Sequence, residues 1–74
     1  MKIMLQNRTM IVEQPRCIWA EPGTGTASGA VIASNLRRAP TLGKYPTMER
    51  AVEVLGELFD YQRAGKYNYH MPEK

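Results

Sequence analysis

The sequence predicts an α+β fold in a single domain spanning residues 1–74. An antiparallel meander of four or five short strands fills residues 1–45, one amphipathic helix runs from about 47 to 64, and a strand-like tail takes up 65–74. Three observations predict it. Short β-rich runs alternate with Gly, Pro and Asn turn signals as far as residue 45. Helical periodicity occurs once, after that point. Seventy-four residues hold one small domain and no second one.

Lys2 to Gln6 alternates, with Ile3 and Leu5 on one side, and Gln6-Asn7-Arg8 reads as a turn because Asn tolerates left-handed backbone. Thr9 to Gln14 is β-rich and stops at Pro15, which cannot donate to a ladder. Arg16 to Ala20 follows, with Ile18 and with Trp19 as the expected main core anchor. Glu21 to Gly29 holds three glycines and a proline and reads as a loop. Ala30 to Asn35 and Pro40 to Tyr45 are the fourth and fifth strands.

Thr47 is a suitable N-cap, and Glu49 lies in the first turn where the helix dipole favours an acid. Met48, Ala51, Val52, Leu55, Leu58, Phe59 and Gln62 recur at spacings of three and four, a stripe that must cover something apolar. Gly65 is placed as a C-cap glycine. Gly56 falls on the polar side with Glu49, Glu53 and Asp60. It is either a tolerated substitution or a point where another backbone approaches, as at a subunit contact. Tyr67, Tyr69 and Met71 alternate with Asn68 and His70, and Pro72 closes a tail that docks on its own domain or on a neighbour.

A chain of this length buries only about 60% of the surface its unfolded form exposes. Cys17 is the single cysteine and His70 the single histidine, so neither an intrachain disulfide nor a zinc cluster can supplement the core. Self-association is the remedy left, with Gly56, Tyr61, Tyr67 and Tyr69 as the expected contacts. There is no apolar run of membrane-spanning length. The charged, short apolar start at Met1–Arg8 is not a signal peptide. The expectation is therefore a cytoplasmic protein without membrane contact, with Cys17 reduced and buried beside Ile18 and Trp19.

Apolar residues make up 43% and charged residues 23%, ordinary globular usage, with a net charge of +3. Its distribution is uneven. Lys2, Arg8, Arg16, Arg37, Arg38 and Lys44 against Glu13 and Glu21 give residues 1–45 a net +4, and the remainder is at −1. An anionic partner would meet the first half.

Enzymatic patterns are thin. Asn68 and His70 share one side of the tail with no nucleophile paired to them, and Glu49, Glu53, Glu57 and Asp60 read as a solvated helix face. The loop from Gly23 to Gly29 lacks the Gly-Lys-Ser/Thr ending of a phosphate loop. Its glycine-rich backbone could still nest an anion. The sequence thus points to no catalytic residue, metal or cofactor. Arg16, Arg37, Arg38 and Lys44 are candidate phosphate ligands, with Trp19 or Tyr45 stacking on a base and Gly25 and Thr26 in the lid. The competing reading is a solvated basic edge that resists aggregation.

Three segments carry a resemblance: Gln6-Asn7-Arg8-Thr9-Met10-Ile11-Val12, residues 41–58 (Thr-Leu-Gly-Lys-Tyr-Pro-Thr-Met-Glu-Arg-Ala-Val-Glu-Val-Leu-Gly-Glu-Leu) and residues 65–72 (Gly-Lys-Tyr-Asn-Tyr-His-Met-Pro). Together they resemble a set of short proteins of phages and prophages of Gram-positive bacteria. That set has a "QN-x-T-x-(I/V)-V" strand pair, a "LG-x-Y-x-T-x-ERA-x-EVL" strand-to-helix junction and a "Y-x-MP" tail. Residues 15–38 depart from the pattern. By analogy with small phage proteins of similar build, the resemblance implies a non-enzymatic homo-oligomer that counters host defence by sequestering an anionic cyclic-nucleotide signal. Two alternatives stand beside it: an inhibitor that binds a host defence protein, and a weak nucleic-acid-binding module. No ligand residue carries over from the resemblance.

Overall fold

The structure is a computed structural model that describes residues 1–13, 15–23 and 29–74. It is α+β, with mostly antiparallel strands and one helix. The elements are β1 (Lys2–Met4), β2 (Ile11–Glu13), β3 (Ile18–Pro22), β4 (Ala30–Ser34), β5 (Thr41–Tyr45), α1 (Met48–Arg63) and β6 (Asn68–His70).

The strands do not pair in one continuous order. They divide into two three-stranded sheets, β2-β1-β6 and β3-β4-β5. β2 pairs with β1 and β3 with β4, and Pro15 lies in the connection between the two sheets. The free edge of β1 is taken instead by the tail, whose β6 pairs with it in parallel, Ile3 opposite Tyr69. The tail therefore docks on its own domain. In the second sheet, β5 carries an extra residue: Ile32 faces Gly43 and Ala33 faces Thr41, so Leu42 has no partner of its own and turns into the core.

The helix packs on β3, β4 and β5. Its ends follow the sequence signals. The Thr47 hydroxyl accepts from the Arg50 N–H at 3.0 Å. At the other end, Gly65 is left-handed at φ 74, its N–H bonds Gln62 O, and the Lys66 N–H bonds Tyr61 O. That pair of bonds is the Schellman motif. The buried helix face is Ala51, Val54 and Leu58, with Leu55 and Tyr61 half-buried beside them. Met48, Val52 and Phe59, read from periodicity as part of the covered stripe, are exposed instead. The β3-β4-β5 sheet is wide enough for only one flank of the stripe.

The core joins Ile3 and Tyr69 of the first sheet, and Leu5 just after β1, to Ile32, Leu42 and Tyr45 of the second, with Val54, Leu58 and Met71. Trp19 lies outside it, 40% exposed. In β3, Ile18 and Ala20 face inward, so alternation turns Trp19 and Glu21 to solvent, where the indole N–H donates to Glu21 Oε2 at 3.1 Å. Cys17 is likewise exposed, because it precedes the strand and pairs through its backbone with Asn35.

Candidate functional site

Arg37 and Arg38 owe their position to Ser34. The buried Ser34 hydroxyl donates to Ala39 O at 2.6 Å and accepts from the Leu36 N–H, and the Ser34 N–H bonds Pro40 O. These bonds fold residues 35–39 into a tight loop between β4 and β5, with both arginines exposed at its tip. The loop faces β2. Arg37, Arg38 and Leu36 line one side of a groove of about 380 Å³, and Met10, Ile11, Val12 and Glu13 line the other. Ile11 is strongly exposed at this edge of the first sheet. The arrangement offers two guanidinium forks, an apolar wall and the Glu13 carboxylate among its lining.

The other predicted ligand residues are not gathered there. Lys44 borders a separate cavity with Gln6, Asn7 and Thr41. Arg16 stands at the rim of the groove along the helix. Trp19 and Lys44 share the outer face of the second sheet, since Trp19 pairs with Ala33 and Lys44 with Val31. Tyr45 is in the core with its hydroxyl donating to Pro72 O at 2.9 Å, so it presents no ring face for a base to stack on. Burial pushes its hydroxyl up to about 12. Gly25 and Thr26 lie outside the described residues. Met10 and Ile11 were missed from sequence. The signal available was the β2 edge, where an apolar run of three residues cannot turn every side chain inward.

A second surface lies along α1. Val52, Leu55, Gly56 and Phe59, with Ile18 and Pro15, border an open groove of about 510 Å³. Val52 is 53% and Phe59 60% exposed. Gly56 belongs to this apolar strip, and a Cβ built on it would meet no atom within 4 Å.

A third cavity, of about 380 Å³, lies between α1 and the tail, bordered by Glu57, Tyr61, Asn68, Tyr69 and His70. Tyr69 is buried, its ring edge-on to Tyr61 at 5.0 Å, and Lys66 Nζ lies 4.6 Å over the Tyr61 ring. Those contacts seat Tyr69 inside the protomer and leave Tyr61 half-buried beside it, while Tyr67 is 82% exposed. Burial, followed by the charge of Glu57, raises the Tyr69 hydroxyl well above its ordinary 10.0. That hydroxyl has no hydrogen-bond partner among the described residues. No group of three or more His, Cys, Asp or Glu able to hold a metal occurs among them either.

Compared with family models, curated proteins and solved structures, the chain finds no match. Among the described residues no helix is long and apolar enough to cross a membrane.

Proposed function

We propose that this chain is a non-enzymatic binding protein that works as a homo-oligomer and sequesters an anionic nucleotide of the cyclic class. The supporting observation is the groove between β2 and the loop carrying Arg37 and Arg38. A guanidinium pairs bidentately with a phosphate at fixed geometry and stays charged at any physiological pH. The Met10–Val12 wall offers an apolar surface to a base. The phage setting, a role against host defence and action in the cytoplasm of an infected cell rest on the resemblance of residues 6–12, 41–58 and 65–72.

The test is a thermal-shift and calorimetry panel of cyclic dinucleotides, cyclic trinucleotides and cyclic ADP-ribose isomers. A ligand at 100 times its Kd adds about 2.7 kcal/mol, and each kcal/mol moves Tm by roughly 4–8 °C in a domain of this size. The expected result is one ligand with a large shift, recovered chemically intact, and lost in the R37A/R38A double variant. A flat panel, or a folded double variant with unchanged affinity, overturns the reading.

A second reading, inhibition of a host defence protein by direct binding, is favoured by the open apolar groove along α1. It predicts a stoichiometric protein complex that V52E or F59E abolishes and R37A/R38A leaves intact.

A further inference from the structure

The apolar residues of α1 fall into two adjacent seams, each with the alternating three-and-four spacing of a heptad core. Ala51, Val54, Leu58 and Tyr61 form the first, which is seated on the chain's own sheet. Met48, Val52, Leu55 and Phe59 form the second, in which Met48, Val52 and Phe59 are exposed and Leu55 is half-buried. A helix that needed only its own sheet would carry polar residues at those positions. Beside the open seam runs a file seven residues apart, Glu49, Gly56 and Arg63, an acid and a base equally spaced about a glycine. Gly56 is also the midpoint of the helix, with open space around its Cα.

We infer that the open seam is covered by α1 of a second copy of this chain, packed antiparallel across a two-fold axis at Gly56. The charge file selects both occupant and direction. In an antiparallel pair this flank of one helix meets the same flank of the other, so Glu49 stands opposite the partner's Arg63 and Arg63 opposite the partner's Glu49. One favourable contact thus becomes two by symmetry. In a parallel pair this flank would face the one occupied by Ala51 and Leu58, which the sheet already covers, and neither charge would find a complement. Gly56 meets its own counterpart at the axis, where the missing side chain lets the backbones close up. Leu55 then packs in the same layer as Phe59 of the partner subunit. Arg37 and Arg38 lie in a different groove, so the dimer leaves the anion site open.

The inference gives a geometry to the self-association in the proposed function and rests on that part of it alone. Sizing without any nucleotide therefore separates the two: a failed ligand panel leaves the dimer standing, and a monomer leaves the groove standing. The experiment is sedimentation equilibrium at low salt, with helix content followed by circular dichroism. The expected result is a dimer, monomeric on V52E or F59E substitution. E49R and R63E singly weaken it by about tenfold, because two exposed pairs become two repulsions, and the E49R/R63E double variant restores it. A wild-type monomer up to millimolar concentration overturns the inference and gives the seam to a different partner. So does a dimer indifferent to V52E and F59E, or a charge swap that does not restore association.

Discussion

The Tyr45 hydroxyl, at the end of β5, donates to the Pro72 carbonyl at 2.9 Å, and the ring between them lies over Gly43. A Cβ at Gly43 would stand 2.9 Å from that hydroxyl, so the small residue and the tyrosine occupy one space between them. The Gln6 side chain completes the same junction. Its amide donates to Lys44 O at 2.7 Å and to Glu73 O at 2.9 Å, and its carbonyl accepts from the Lys44 N–H. Gln6, Gly43, Tyr45 and Pro72 thus meet at one seam, where β1, β5 and the tail join.

Removing the hydroxyl alone, in Tyr45→Phe, leaves the ring packing and strands the Pro72 carbonyl. The expected loss is about 1 kcal/mol, read as a Tm drop of roughly 4–8 °C. Gly43→Ala should cost more, because the tyrosine ring must shift away from the new methyl and carry its hydroxyl off the Pro72 carbonyl.

The two buried phenols make the fold sensitive to base. Their folded-state values lie above the ordinary 10.0, with Tyr45 at about 12 and Tyr69 higher still. Each therefore binds its proton more tightly when folded. The stability they contribute is complete below pH 10 and is lost as pH rises through the folded values. Denaturant titrations should show a flat plateau through neutral pH and a fall setting in between pH 10 and 12. Tyr45→Phe together with Tyr69→Phe should flatten that limb.

Gly29 has φ 131, outside the range open to a side chain, and a Cβ there would collide with the carbonyl oxygen of Tyr45 and lie 3.1 Å from that of Pro46. Gly29→Ala should destabilise by about 2 kcal/mol or more, since neither backbone group can give way cheaply. Urea unfolding checks it through a lower midpoint at unchanged slope.

Gly56→Ala separates helix propensity from association. The substitution is free of clashes within one protomer and favours the helix by about 1 kcal/mol. The expected outcome is a higher Tm in dilute solution together with weaker dimerisation in sedimentation, because the added methyl lies on the two-fold axis.

The helix was legible to within one residue at each end, since Thr47 and Gly65 act locally and their signals survive any tertiary context. The strands were legible as elements, but their partition was not, because pairing is decided by partners far along the chain. Nothing near Ile3 says that Tyr69 will lie beside it. The apolar stripe of α1 was read as one face for the same reason: periodicity gives its width and not the width of the sheet beneath. Trp19 went to the surface because neighbours in sequence lie on opposite faces of a strand, and Cys17 because it falls just before β3. Arg37 and Arg38 were identifiable as a pair, while their apolar wall at Met10 and Ile11 emerged only once β2 was seen to be an edge.

The parallel ladder between β1 and β6 also has a mechanical consequence. It is bounded by the Lys2 N–H on Tyr67 O at 2.7 Å and the Met71 N–H on Met4 O at 3.0 Å. A pull on the chain before Lys2 and after Pro72 acts on opposite ends of two strands that run the same way. The load is a shear that strains all the ladder bonds together, instead of peeling them one by one. Everything from Leu5 to Tyr67 lies behind that clasp, shielded from tension until it slides.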